Sequence, residues 1–150
     1  MHTPSAAELS HCRFLHGMDW RHLEAMASCA LRASFYPDEV LFRTGDEANR
    51  FYLIRSGKVL LLADRPGHAS LPIQTLEAED VLGWSWLFPP YTWRFSARTL
   101  TEVEAYFFHG SELRELASND PSFAAAIFPR IAQVMLERLQ ATRDRVAAIP

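Results

Sequence analysis

Between Gly83 and Phe95 the sequence reads GWSWLFPPYTWRF, which sets Trp84, Trp86 and Trp93, two phenylalanines and a tyrosine within thirteen positions behind a single glycine. Indole faces can stack on a flat or cationic ligand, so this stretch is a candidate wall of a binding site. The same density also serves a packed core, and the residues alone leave both readings open. Ser85 and Ser96 are the hydroxyls at its two ends, and their ordinary role is to cap a helix or bond within a strand.

Other chemistry has less support. A metal site of the kind carried by β-barrels would need a His-x-His pair followed by a carboxylate and a later histidine. No such pair occurs. His68 lies in a turn with Pro66 and Gly67, His109 follows a predicted strand, and the other four histidines fall within the first 22 residues, where solvated surface positions are expected. There is no Gly-x-Ser-x-Gly elbow, and Cys12 and Cys29 lack Cys-x-x-Cys spacing, so they are expected as reduced, buried thiols. Neither an enzyme nor a metal protein is expected.

The elements that must position the aromatic stretch are legible from texture. A chain of 150 residues with 49% hydrophobic composition suits one globular domain over 1–150. Net charge is −3 and Lys58 is the only lysine, a balance that does not favour nucleic acid. The start, MHTPSAAELS, lacks the pattern of a secretion signal, and the uncharged run Phe123 to Pro129 is far too short to cross a bilayer. A cytoplasmic protein without membrane contact is expected.

Leu9, Cys12, Phe14 and Leu15, then Trp20, Leu23, Met26 and Ala27, fall at helical intervals, which predicts helices over about 5–30. Short β-rich runs follow over about 31–108, separated by Pro-Asp, Thr-Gly-Asp, Ser-Gly and Arg-Pro-Gly-His turn signals, the spacing of a sandwich or barrel. The run Ala105 to Phe108 is read as core. Two helices are predicted over about 110–147, with Ser111 capping the first and Asn119 or Asp120 the second, and with Pro129 bending or interrupting the latter. This last helix is apolar on two sides: Phe128, Ala132, Met135, Leu139, Thr142 and Val146 form one stripe, and Phe123, Ile127, Ile131 and Val134 the other. One side can cover the β unit and the other is available to a second chain. RLQATRDRV near the end is expected to be a solvated charged face.

Four motifs, VLF at Val40 to Phe42, Gly45-Asp46, FYLI at Phe51 to Ile54 and SGKV at Ser56 to Val59, resemble in order and spacing the opening of the cyclic-nucleotide-binding domain of catabolite activator-like regulators and kinase regulatory subunits. Turn chemistry gives these glycines a reason, since tight hairpins demand positive φ, and Asp38 stands where the family has a turn glycine. The resemblance spans about Cys12 to Gln140. It implies a mainly β fold with flanking helices: an eight-stranded β-roll, or double-stranded jelly roll, with N-terminal helices and two C-terminal helices. In the activator family a helix-turn-helix domain follows, and this sequence stops at Pro150, so direct DNA binding is not expected.

The resemblance also implies that Gly83 to Ser96 is the phosphate-binding cassette, a short helix whose backbone N–H groups face a cyclic phosphate. Gly83 matches. Trp84 stands where the family places a glutamate for the ribose hydroxyl, and it can donate but not accept. Counting back from the following strand puts Trp93 at the position of the family's phosphate-binding arginine, with Arg94 one residue away. Strand alternation then gives Trp93, Phe95 and Ala97 one face and Arg94, Ser96 and Arg98 the other, although a one-residue loop shift would exchange them. The candidate site is therefore Gly83, Trp84, Ser85, Trp86, Trp93, Arg94, Phe95 and Ser96.

The expected function is a non-catalytic sensor or adaptor, transmitting state through its long C-terminal helix and forming a homodimer through it. Its ligand is a cyclic nucleotide or another small molecule held in an altered way. The alternatives are a ligand-free protein-interaction module whose three indoles fill the pocket, and cyclic nucleotide binding through Arg94.

Overall fold

The computed structural model describes residues 3–149. Helix α1 (Ala6–Ser10), a 3-10 turn (Arg13–Leu15) and helix α2 (Trp20–Ala27) lead into eight strands: β1 (Ala30–Phe35), β2 (Val40–Phe42), β3 (Arg50–Ser56), β4 (Val59–Ala63), β5 (Leu71–Leu76), β6 (Val81–Leu82), β7 (Ser96–Thr99) and β8 (Val103–His109). Helices α3 (Gly110–Asn119) and α4 (Pro121–Ala147) follow. The strands form two four-stranded antiparallel sheets, ordered β1-β8-β3-β6 and β2-β7-β4-β5, which is the expected jelly roll.

The first sheet is buried on both faces along β8 and the middle of β3. Along β8, Val103, Ala105 and Phe107 point into the roll beside Tyr52, Ile54 and Leu82. The alternate residues Tyr106 and Phe108 join Phe51 and Leu53 against the helices. Period-two alternation between two apolar spaces explains why the end of β8 reads as a continuous apolar run rather than an alternating one.

Turn chemistry behaves as its residues require. Asp38, Gly45 and Gly57 all take positive φ. At Gly57 a Cβ would meet the Glu102 carbonyl oxygen at 2.2 Å, so the β3–β4 turn admits no side chain there. Asp120 caps α4, its carboxylate accepting from the Ser122 and Phe123 N–H groups, with Pro121 in the first turn where its missing N–H costs nothing.

Several local expectations are corrected. Ser111 is not a cap: α3 begins at Gly110 without a side-chain cap, because β8 runs straight into it, with His109 still paired to Arg50 and the Gly110 N–H donating to Asn49. Pro129 lies inside α4 and does not interrupt it. His11, His16 and His68 are exposed, and His2 lies outside the described residues. His22, expected in solvent, is buried where α2 meets α4, its ring nitrogen 3.0 Å from the Ser122 hydroxyl. Trp20, expected on the apolar side of α2, projects into solvent from the first position of that helix. Cys12 and Cys29 are free and buried, and burial pushes the Cys12 thiol up to about 11.

The two stripes of α4 separate cleanly. Phe123, Ile127 and Ile131 are buried in the cluster that holds Leu9, Leu15, Leu23 and Met26 of the N-terminal helices together with Phe51 and Phe108 of the sheet. Phe128, Met135, Leu139 and Val146 are exposed, Leu139 by 57%.

Candidate functional site

Strand β6 ends at Leu82, and Gly83 follows with a φ of 91°, open to glycine and strained for other residues. The chain then makes a single 3-10 turn, Ser85–Leu87, and a loop returns it to β7. Trp93 closes this loop. Its N–H donates to Asp46 and its carbonyl accepts from Gly45, so the 43–48 turn clamps the backbone on both sides. Its ring lies flat on Phe42, with centroids 3.7 Å apart and planes 9° apart. On its other side the same indole covers Gly83, where a Cβ would lie 2.5 Å from Cη2 and 2.7 Å from Cζ3.

Trp93 is thus buried among Tyr52, Leu61, Leu82 and Ala97 in the interior of the roll. Arg94 is exposed on the opposite side of the chain, and Phe95 is half-buried with its ring 5.9 Å from that of Phe42. Ser96 spends its hydroxyl locally, accepting from the Thr44 N–H and donating to Asp64.

The three indoles do not share one space, which corrects the expectation that they fill the pocket together. Trp84 and Trp86 belong with the helix-side cluster. The turn between Gly83 and Leu87 sends them there, because a 3-10 backbone does not alternate as a strand does. Trp86 is fully buried, edge-on to Phe51 and pressed against Gly110, whose Cβ would lie 2.7 Å from that of Trp86. Ser85 is buried beside it.

Two arginines tie this segment to the C-terminal helices. Arg114 of α3 donates through Nη1 to the Trp86 carbonyl at 2.6 Å and lies 4.2 Å over the Tyr91 ring. Arg138 of α4 lies 4.6 Å over the Trp84 ring and donates to the Val81 carbonyl. Burial pulls the Arg138 guanidinium down to about 10, against the opposing fields of Asp80 and Glu137. Arg145 reaches the Ile73 carbonyl from the next turns of the same helix. The charged face expected to be solvated therefore touches the roll at two points. Nothing in the sequence distinguished Arg114 and Arg138 from other helical arginines; their partners are a backbone carbonyl and a ring far away along the chain.

Among the described residues no group of three or more His, Cys, Asp or Glu side chains is placed to hold a metal ion. No described helix is long and apolar enough to cross a membrane.

The family model described as cyclic nucleotide-binding domain matches residues 32–120. A curated relative, the CRP-like cAMP-activated global transcriptional regulator of Mycobacterium tuberculosis, is 24% identical over 139 residues, 93% of this chain and 60% of the relative. The chain thus spans less than two thirds of the curated protein it matches. Among solved structures, a protein from Geobacter metallireducens described as cyclic nucleotide-binding superposes with a TM-score of 0.81 at 24% identity, covering 91% of this chain and 98% of that one. A cAMP-binding acyltransferase from Mycobacterium smegmatis gives 0.74 at 22% identity, covering 91% of this chain and 41% of the acyltransferase. At these identities the structural likeness speaks to the fold.

Proposed function

Because the chain belongs to the family of cyclic nucleotide-binding domains, we propose that it is a non-catalytic regulatory module, an adaptor whose cassette is closed from within and which works through its C-terminal helices. The observation that carries this reading is the Trp93 indole seated between Gly83 and Phe42, with Arg94 turned out to solvent. A cyclic phosphate entering the roll would have to displace that ring and would not meet Arg94 there. Burying an anion without its charged partner costs on the order of several kcal/mol, and backbone N–H groups offset part of it. Trp84, where the family places a glutamate, is committed to Arg138. These residues do not fit a cyclic nucleotide held in the family's usual way. The two free thiols agree with a reducing, cytoplasmic setting.

Titration with cyclic AMP, cyclic GMP and cyclic dinucleotides, followed by tryptophan fluorescence and thermal shift, is expected to show no saturable response up to millimolar concentration. Saturable micromolar binding of cyclic AMP that Arg94→Ala abolishes would overturn the proposal. A response to a neutral, flat ligand would instead make the module a sensor.

The reading extends to a homodimer through α4. The exposed positions 128, 132, 135, 139, 142 and 146 alternate steps of four and three, the spacing of a two-stranded coiled-coil seam. A single-chain protein has little reason to expose Phe128, Met135, Leu139 and Val146 in one row. Sedimentation equilibrium is expected to give a dimer, and Leu139→Glu to weaken it by about tenfold or more by burying a charge in the seam. A monomer at high concentration would dismiss this arrangement.

A further inference from the structure

A cavity of about 350 Å³ lies between the start of β3, the tip of the cassette loop and the first turn of α3. Its wall includes Arg50, Tyr91, His109, Ser111 and Arg114, with Glu47 as the carboxylate among them. The size falls within the range of small-molecule sites.

Two features of this wall call for an anion. Arg50 and Arg114 lie 4.4 Å over the Phe107 ring and 4.2 Å over the Tyr91 ring, yet among the described residues neither forms an ion pair with a carboxylate. Arg114 commits only Nη1 to the Trp86 carbonyl, so most of its N–H donors stay available. The His109 ring at the end of β8 and the Ser111 hydroxyl on α3 add further polar groups. Because Ser111 falls inside α3 rather than capping it, its hydroxyl is not used to close the helix start.

Guanidinium pairs with a hydroxyl and a ring N–H match the several oxygens of a tetrahedral dianion better than the two of a carboxylate. We propose that this cavity binds a phosphate group, free or carried by a small phosphomonoester, between Arg50, Arg114, His109 and Ser111. Such a ligand would brace the tip of the cassette loop against the start of α3. The site borders the roll, since Arg50 and His109 both flank the Phe107 ring, but neither Gly83 nor Trp93 lines it.

The test titrates the whole protein with inorganic phosphate and, separately, with glycerol 3-phosphate, at fixed ionic strength with chloride as the reference, using calorimetry and amide NMR shifts. Saturable binding with shifts centred on His109 to Glu112 is expected. Arg50→Gln, at an exposed side chain, should weaken it about tenfold or more, as loss of a charge-assisted hydrogen bond does. Arg114→Gln should do the same, and should it disturb the fold through Trp86, Arg50→Gln decides alone. Arg143→Gln, exposed on α4, should change nothing. Equal affinities for the two probes would identify the free anion as sufficient, and tighter glycerol 3-phosphate would identify an ester; either supports the site. No saturation at tens of millimolar, or unchanged affinity in Arg50→Gln, would overturn it.

Discussion

Alanine at position 93 is expected to lower the stability of the fold by about 3–5 kcal/mol, the usual cost of truncating a buried tryptophan. The size follows from where the ring sits. Trp93 is 3% exposed, stacked on Phe42 on one side and laid over Gly83 on the other, so neither neighbour can close the space it leaves without moving a clamped backbone. For a domain of this length that loss corresponds to a fall in Tm of roughly 6–20 °C, measurable by calorimetry. Trp93→Phe should lose less, since a ring still faces Phe42. A shift below about 1 kcal/mol for Trp93→Ala would mean that the indole is dispensable as a filler, and the closed-cassette reading would lose its main support.

Gly83→Ala is the second large effect. Two independent penalties meet at this position: a left-handed φ costs a non-glycine residue about 1–2 kcal/mol, and forcing a methyl into a filled space costs about 1–3 kcal/mol more. The new Cβ would lie 2.5 Å from Cη2 of Trp93, whose ring cannot retreat because Phe42 is behind it. Combining the substitutions separates the two penalties. In Gly83→Ala with Trp93→Ala the methyl has room, so the double variant should be more stable than the sum of the single effects predicts, by about 1 kcal/mol or more. Strict additivity in denaturant unfolding would show that the strain is all in the backbone and none in the contact with the ring.

The contrast between these two residues and their neighbours shows what could be read in the sequence. The motifs around Val40, Gly45, Phe51 and Gly57 announced the roll because turn glycines and strand alternation are local rules, and the eight strands follow them. The opposite orientations of Trp93 and Arg94 also follow from local alternation at the approach to β7. Trp84 and Trp86 escaped it. They lie on a 3-10 turn, where no two-residue rule applies, and what fixes them is Gly110, Arg114 and Arg138 from helices that come later in the chain. His22 and Ser111 were misplaced for a related reason: burial of the first depends on where α4 begins, and the second on a strand that enters its helix without a loop.

Strand β8 behaves as a party wall between two houses. Tyr106 leans one way and Phe107 the other, while β1 and β3 hold the masonry on each side. Any side chain that thickens it toward one room narrows the other, so neither compartment can be remodelled alone, and pressure inside the roll arrives at the helices without any messenger other than that one shared partition.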